Sequence, residues 1–355
     1  MTPKNIAVFG ATGAVGVEMV KVLEERVDGG TLAVRSLRLL ASRPGRTVKW
    51  RGDDIPVEEV TLESWRGIDV ALFAVDSDVS RKWAPVAVEA GSVVIDNSSA
   101  FRMAQDVSLV VPEVNPEDIA SHAGHGHGKI IANPNCSTII AMVALAPLHR
   151  AAGLVRLCAS TYQAVSGAGK AGQEELERQI RDYAATKWDN TNSDPDMFDL
   201  PSVPSVFQHQ IAFNLIPHID AFVPDDWYTK EELKMRDESR KILHAPSLRV
   251  SATCVRVPVM RSHSEALTIE TERPLSPGEA RAILERAPGV KVIDEPLKNR
   301  YPMPLFASDQ DLVHVGRIRR DHSAPEGCHG LVLWVSGDQL RKGAATNAVQ
   351  IAELL

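Results

Sequence analysis

The stretch Asn5-Ile6-Ala7-Val8-Phe9-Gly10-Ala11-Thr12-Gly13-Ala14-Val15-Gly16 decides the fold. Its first five residues form a short apolar run, the pattern of a strand buried on both faces. Glycines follow at positions 10, 13 and 16, and then a helical pattern with Val17, Val20, Val22 and Leu23 as apolar positions. Strand, glycine turn and helix open a βαβ unit in which backbone can approach a pyrophosphate and a helix N-terminus faces it. The spacing is G-x-x-G-x-x-G rather than G-x-G-x-x-G, and the competing reading is a tight turn with no ligand.

The chain beyond this turn keeps the same alternation. Ser36 to Ala41 reads as the second strand. Its end lacks the Asp or Glu that would hold a ribose 2′-hydroxyl and carries Ser42-Arg43-Pro44-Gly45-Arg46 instead. A hydroxyl and arginines suit a 2′-phosphate, which predicts NADP; an ordinary solvated loop is the alternative. Ile68 to Val75 reads as a buried parallel strand. Ser80 to Ala90 is a helix in which Pro85 predicts a kink or a late start. Ser92 to Ile95, Leu109 to Val111 and Lys129 to Ala132 complete a doubly wound, Rossmann-like sheet. The three histidines of Ser121 to Gly128 lack rigid placement and read as a surface loop, with metal binding the alternative reading.

The second decisive stretch is Asn133-Pro134-Asn135-Cys136-Ser137-Thr138, between that last strand and an apolar helix-like run to Leu148. Cys136 thus falls at a helix N-terminus, where unpaired N–H groups and the helix dipole favour a thiolate. The competing reading is a buried, inert cysteine.

After Cys136 the pattern changes. Leu154 to Tyr162 is a strand, and Lys170 to Lys187 an amphipathic helix with Leu176, Ile180 and Tyr183 on one stripe. A polar connection, Asp189 to Ser205, precedes a second helix, Lys230 to His244. Arg249 to Val257, Glu265 to Glu270, Leu312 to Ile318 and Leu331 to Val335 read as strands, and Arg341 to Leu355 as a final helix. Bunched strands with few intervening helices predict an α+β domain on a mainly antiparallel sheet.

Bulk properties agree with this class. A chain of 355 residues is too long for one ordinary core, and 44% hydrophobic with 24% charged residues fits a globular protein. A net charge of −7 without a basic block argues against non-specific nucleic-acid binding. The four cysteines, Cys136, Cys158, Cys254 and Cys328, are scattered, and no run is long and apolar enough to cross a bilayer. The expectation is a reduced, cytoplasmic protein away from membranes.

Taken in order, the motifs resemble aspartate-β-semialdehyde dehydrogenase. They are the Gly10–Gly16 turn, Asn97-Ser98-Ser99-Ala100-Phe101-Arg102, Asn133-Pro134-Asn135-Cys136 and Gln163 with Ser166-Gly167. Glu238 through Lys241, Arg256 with His263, and Gly337-Asp338-Gln339 complete the set. The resemblance spans nearly the whole chain. It implies reduction of L-4-aspartyl phosphate by NADPH to the semialdehyde and phosphate, reversibly, in the aspartate-derived amino-acid pathway, by a homodimer or homotetramer. It also implies that the last helix packs back on the first domain, so residues 1–135 with 337–355 would bind NADP and 136–336 would form the catalytic and dimerisation domain.

The resemblance assigns roles. Cys136 would be the nucleophile, and His263 the acid/base, its ordinary pKa lying near the working pH. Arg256 would clamp the α-carboxylate with its planar fork. Arg102 and Lys241 would hold the phosphate, Glu238 would meet the ammonium, Gln163 would orient the acyl group and Asn135 would help place the nucleophile. The cofactor would lie on Gly10, Thr12, Gly13, Ala14, Val15, Gly16, Ser42, Arg43, Ser166, Gly167 and Gln339; Asp76-Ser77-Asp78 departs from the family's small residues there. Arg256 and His263 are seven apart, on opposite faces of a single strand, unless the chain bends at Pro258 and Arg261-Ser262. The competing activities are N-acetylglutamyl-phosphate reduction, from which Asn135 and Ala100 point away, a phosphorylating glyceraldehyde-3-phosphate dehydrogenase, and a non-catalytic nucleotide sensor, which needs neither Cys136 nor His263.

Overall fold

The computed structural model describes residues 2–121, 129–185, 204–325 and 329–355. The histidine loop beyond Ser121, nearly all of the Asp189–Ser205 connection, and Cys328 lie outside the described residues.

The first half is an eight-stranded sheet, ordered β3-β4-β2-β1-β5-β6-β8-β7. Its strands are β1 (Lys4–Phe9), β2 (Val34–Ala41), β3 (Thr47–Trp50), β4 (Asp53–Glu59), β5 (Val70–Phe73), β6 (Val93–Asp96), β7 (Ser108–Leu109) and β8 (Ile130–Ala132). Every pairing is parallel except the β3–β4 hairpin, which the sequence reading missed. Helices α1 (Ala14–Asp28), α2 (Ser77–Glu89) and the short α3 (Asp118–Ser121) accompany it. Helix α2 starts earlier than expected and runs through Pro85. Gly10 takes φ +90°, a conformation that strains any residue with a Cβ.

Helix α4 (Cys136–Ala152) lies in a core whose residues come from both halves, packed against strands of the second sheet. Its long continuous run of buried residues, Ser137 to Ala146, explains the absence of a polar stripe. The second sheet is ordered β10-β9-β11-β14-β13-β12, from β9 (Leu154–Gln163), β10 (Arg249–Arg256), β11 (His263–Thr271), β12 (Val290–Val292), β13 (Val313–Arg320) and β14 (His329–Gly337). The three central pairings are antiparallel and the two outer ones parallel. Around it lie α5 (Gly169–Ala185), α6 (Lys230–Ile242), α7 (Pro277–Leu284) and α8 (Pro304–Ala307).

Helix α5 departs from its expected stripe. Leu176 is buried, but Ile180 is 42% exposed, and the buried face carries Glu175 and Gln179. Their side chains accept main-chain N–H groups of Ser205, Val206, Ile211 and Ala212, so the helix buries polar groups to satisfy an irregular segment.

The C-terminus opens with a π-turn, Arg341–Ala345, and continues as α9 (Thr346–Leu354). Ala348, Val349, Ile351 and Ala352 pack with Ile6, Val8, Met19 and Ile95 of the first half. The fully buried Lys342 is held by Glu113 at 2.6 Å, Asn347 at 2.8 Å and Gln350 at 2.7 Å.

Candidate active site

A cleft of about 730 Å³ runs along the carboxyl ends of the first sheet to Cys136. Gly10, Thr12, Gly13, Ala14 and Val15 line it with Ser42, Arg43, Asp76, Arg102, Ser166, Gly167 and Gln339. Gly16 stands behind this wall, where a Cβ would come within 2.1 Å of the Gly10 carbonyl oxygen. At Gly10 itself a Cβ would meet the Ala74 carbonyl oxygen at 2.2 Å. These are backbone clashes, so the turn closes only with glycine at both positions. Its position at the N-terminus of α1 fits a dinucleotide pyrophosphate.

Cys136 is the first residue of α4. Asn135 caps the helix, its side-chain oxygen accepting from the N–H groups of Ser137 at 3.1 Å and Thr138 at 3.3 Å. The Cys136 Sγ lies 3.4 Å from Nε2 of His263, which begins β11. The expected bend exists: Arg256 ends β10, His263 starts the next strand, and Ser262 between them takes φ +75°. The Ser262 N–H donates to Gln339 Oε1 at 2.8 Å, and Gln339 in turn bonds Ser166. Both Arg256 and His263 are buried. A Cβ on Gly167 would stand 2.7 Å from Arg256 Nη1 and 3.2 Å from His263 Cε1, so glycine there admits both side chains.

The electrostatics set opposing influences on Cys136. Burial and the Glu231 carboxylate push the Cys136 thiol up to about 12, against the pull of Arg256, Arg102 and Lys234. Desolvation and Glu231 thus oppose the thiolate that the helix terminus favours. Sequence position reveals the terminus but neither the desolvation nor the carboxylate. Burial and Arg256 hold His263 well below its ordinary value.

The geometry also separates two expected residues from the cleft. All three Lys241 Nζ contacts are main-chain carbonyls, of Arg102 at 2.7 Å, Ala104 at 2.7 Å and Val107 at 2.8 Å. Glu238 accepts from Arg102 Nη1 at 3.0 Å and from the Asn135 N–H at 2.6 Å. Lys241 therefore secures the Arg102 segment, and Glu238 ties Arg102 to the cap of α4. Neither is placed for the phosphate or ammonium roles expected of them.

One heptad earlier, the same helix presents Glu231 and Lys234, with the same three-residue spacing. Glu231 accepts from Asn135 Nδ2 at 2.9 Å, Gln163 Nε2 at 3.3 Å and Lys234 Nζ at 3.0 Å. Burial would raise its carboxyl; Lys234, Asn135 and Arg256 outweigh that and hold it low. Lys234 shares a cavity of about 150 Å³ with Arg102, Ser99 and Lys230. The sequence signal was present as a duplicated Glu-x-x-Lys, and spacing alone does not choose between the copies.

Gln163 is buried beside Glu231, Thr161 and Ser137. Arg102 is held by the carbonyls of Asn133 at 3.0 Å and Asn97 at 2.7 Å, and still borders both cavities.

Two family models cover most of the chain: "Semialdehyde dehydrogenase, NAD binding domain" over residues 5–122 and "Semialdehyde dehydrogenase, dimerisation domain" over residues 145–342. An aspartate-semialdehyde dehydrogenase of Aquifex aeolicus is 50% identical over 354 residues, 99% of this chain and 97% of the relative. The chain belongs to the aspartate-semialdehyde dehydrogenase family. Aspartate semialdehyde dehydrogenase II of Vibrio cholerae, solved in complex with ASA, superposes with a TM-score of 0.90 at 45% identity, covering 100% of this chain and 98% of that one. The Candida albicans aspartate semialdehyde dehydrogenase, solved with NADP, gives 0.71 at 26% identity, again over 100% and 98%. Among the described residues no helix is long and apolar enough to cross a membrane.

Proposed function

We propose that this member of the aspartate-semialdehyde dehydrogenase family interconverts L-4-aspartyl phosphate and L-aspartate 4-semialdehyde with phosphate release, using NADPH. The observation that carries the chemistry is Cys136 Sγ at 3.4 Å from His263 Nε2, at the end of a glycine-floored cleft. Gly10, Thr12, Gly13, Ala14 and Val15 hold the pyrophosphate half of the cofactor, Ser42 and Arg43 its 2′-phosphate, and Ser166, Gly167 and Gln339 the nicotinamide end. When bound, the nicotinamide supplies the hydride, or accepts it in reverse.

Cys136 attacks the acyl carbon and forms a thioester. Arg256 binds the α-carboxylate through guanidinium edges beyond its 2.7 Å bond to the Ala164 carbonyl. Glu231 takes the ammonium and keeps Gln163 and Asn135 in place. Arg102 and Lys234 flank the phosphate. The dimerisation-type second domain supports a homodimer.

The test is spectrophotometric: semialdehyde and NADP yield continuous NADPH formation only with phosphate present. Equal steady-state rates without phosphate would refute the reading. Lys234→Ala is expected to raise the KM for phosphate about 10- to 100-fold, the loss of a charge-assisted contact. Lys241→Ala should leave that KM within a few-fold and lower stability by about 2–3 kcal/mol, since it strips the charged donor from three carbonyls. The opposite pattern would restore Lys241 to the phosphate.

A further inference from the structure

We propose that Gly343, in the middle of the buried π-turn, is a positioning residue for the reaction. Its missing side chain lets the turn close on Cys136 and keeps the cleft open beside the sulfur, and two buried cations of the turn hold it in register. The inference rests on the function proposed above, in which Cys136 is the nucleophile.

Backbone conformation does not call for glycine here. Gly343 is not among the glycines with positive φ, and glycine weakens the interior of a helix. What calls for it is the neighbour. A Cβ on Gly343 would stand 3.0 Å from the Cys136 Cβ, 3.3 Å from its Cα and 3.4 Å from its carbonyl oxygen. Cys136 would have to give way to admit it. The sulfur lies 3.4 Å from His263 Nε2, and a nucleophile works only within a narrow range of distance and angle. Gly343 also lines the cleft, with Gln339, Leu340 and Ala344 of the same stretch. Gly167 lacks a side chain for a matching reason, since its Cβ would meet Arg256 and His263. One glycine abuts the cysteine and the other the histidine, and both line the end of the cleft assigned above to the nicotinamide.

The turn is held against sliding. Two i→i+5 bonds close it, from the Gly343 N–H to the Asp338 carbonyl at 3.0 Å and from the Ala345 N–H to the Leu340 carbonyl at 2.9 Å. Turns of this kind recur at functional sites. Arg341 meets Glu18 of α1 at 3.1 Å and Asp311 at 2.9 Å. Lys342, next to the glycine, is the buried ammonium bound by Glu113, Asn347 and Gln350. Sliding the turn by one residue would strip both buried cations of their partners, a strongly unfavourable change.

The Asp338 side chain carries the same frame to the histidine. Its Oδ1 accepts the N–H groups of Leu340 at 2.9 Å and Arg341 at 3.2 Å, and its Oδ2 accepts Arg261 Nε at 2.6 Å. Arg261 stands two residues before His263, at the bend between β10 and β11. The turn that abuts Cys136 is thus bonded to the segment that delivers His263, and the two side chains share one support.

The test compares full-length Gly343→Ala with wild type by steady-state kinetics, by thermal melting and by the rate at which iodoacetamide alkylates the peptide bearing Cys136. The expected kcat is lower by at least about tenfold with the KM for phosphate unchanged, because the nucleophile moves and the Arg102–Lys234 cavity does not. The Tm should stay within about 3 °C of wild type, since the better helix propensity of alanine offsets the crowding. Alkylation needs neither substrate nor cofactor, and should slow by about threefold or more as the methyl group narrows access to the sulfur. Gly278→Ala, in α7 where a Cβ meets nothing within 4 Å, should leave kcat unchanged. A smaller loss of kcat in Gly343→Ala, or an unchanged alkylation rate, would overturn the inference. So would a loss of kcat accompanied by a larger fall in Tm, which marks general packing damage. A wild type that forms no NADPH with semialdehyde, NADP and phosphate would instead refute the proposed function, and the alkylation rate would then decide the placing of Gly343 by itself.

Discussion

Replacing Cys136 by serine is expected to lower kcat/KM for aspartate semialdehyde by at least about 10³-fold, with thermal stability changed by less than about 1 kcal/mol. A serine hydroxyl, with an ordinary pKa far above that of a thiol, is a far weaker nucleophile and leaving group, even with His263 Nε2 placed 3.4 Å from the sulfur position. The substitution swaps one small half-buried side chain for another at the first position of α4, so Asn135 continues to cap the helix. Steady-state NADPH formation and a thermal melt on the same preparation check both halves. Activity surviving in the serine variant would place the nucleophile elsewhere.

Arg256→Lys is expected to lower kcat/KM about 10²-fold, mainly through KM for the semialdehyde, because a point charge does not reproduce the planar fork. The native guanidinium uses one edge on the Ala164 carbonyl at 2.7 Å and lies 5.8 Å over the Phe207 ring. A lysine ammonium is more strongly hydrated and must choose between that carbonyl and a substrate carboxylate. The KM for phosphate should stay within a few-fold, since the Arg102–Lys234 cavity is a separate one. A phosphate KM that rose as steeply as the semialdehyde KM would show that Arg256 does not recognise the carboxylate alone.

What could be read from residues alone follows from periodicity and punctuation. Asn5 to Gly16 announced its strand, turn and helix because buried parallel strands are uniformly apolar and the turn admits only glycine at positions 10 and 16. The Arg256–His263 bend was legible because Pro258 and Ser262 interrupt the pattern. The choice of Glu238 and Lys241 over Glu231 and Lys234 was not legible, because seven residues on a helix return to nearly the same face. Only tertiary placement shows that Lys241 and Glu238 brace the Arg102 segment, while Glu231 meets the side chains of Asn135 and Gln163 and Lys234 borders the cavity beside Arg102. The stripe expected on α5 failed for a related reason: Glu175 and Gln179 are buried because a loop distant in sequence needs acceptors. The ionisation of Cys136 likewise depends on Glu231, far away along the chain.

The most direct test is peptide mass mapping of protein mixed with semialdehyde and NADP in the absence of phosphate, then quenched in acid. A thioester on Cys136, equal in amount to a single burst of NADPH, is the predicted result. NADPH formed with no adduct on the peptide bearing Cys136, or with the adduct on another residue, would contradict it.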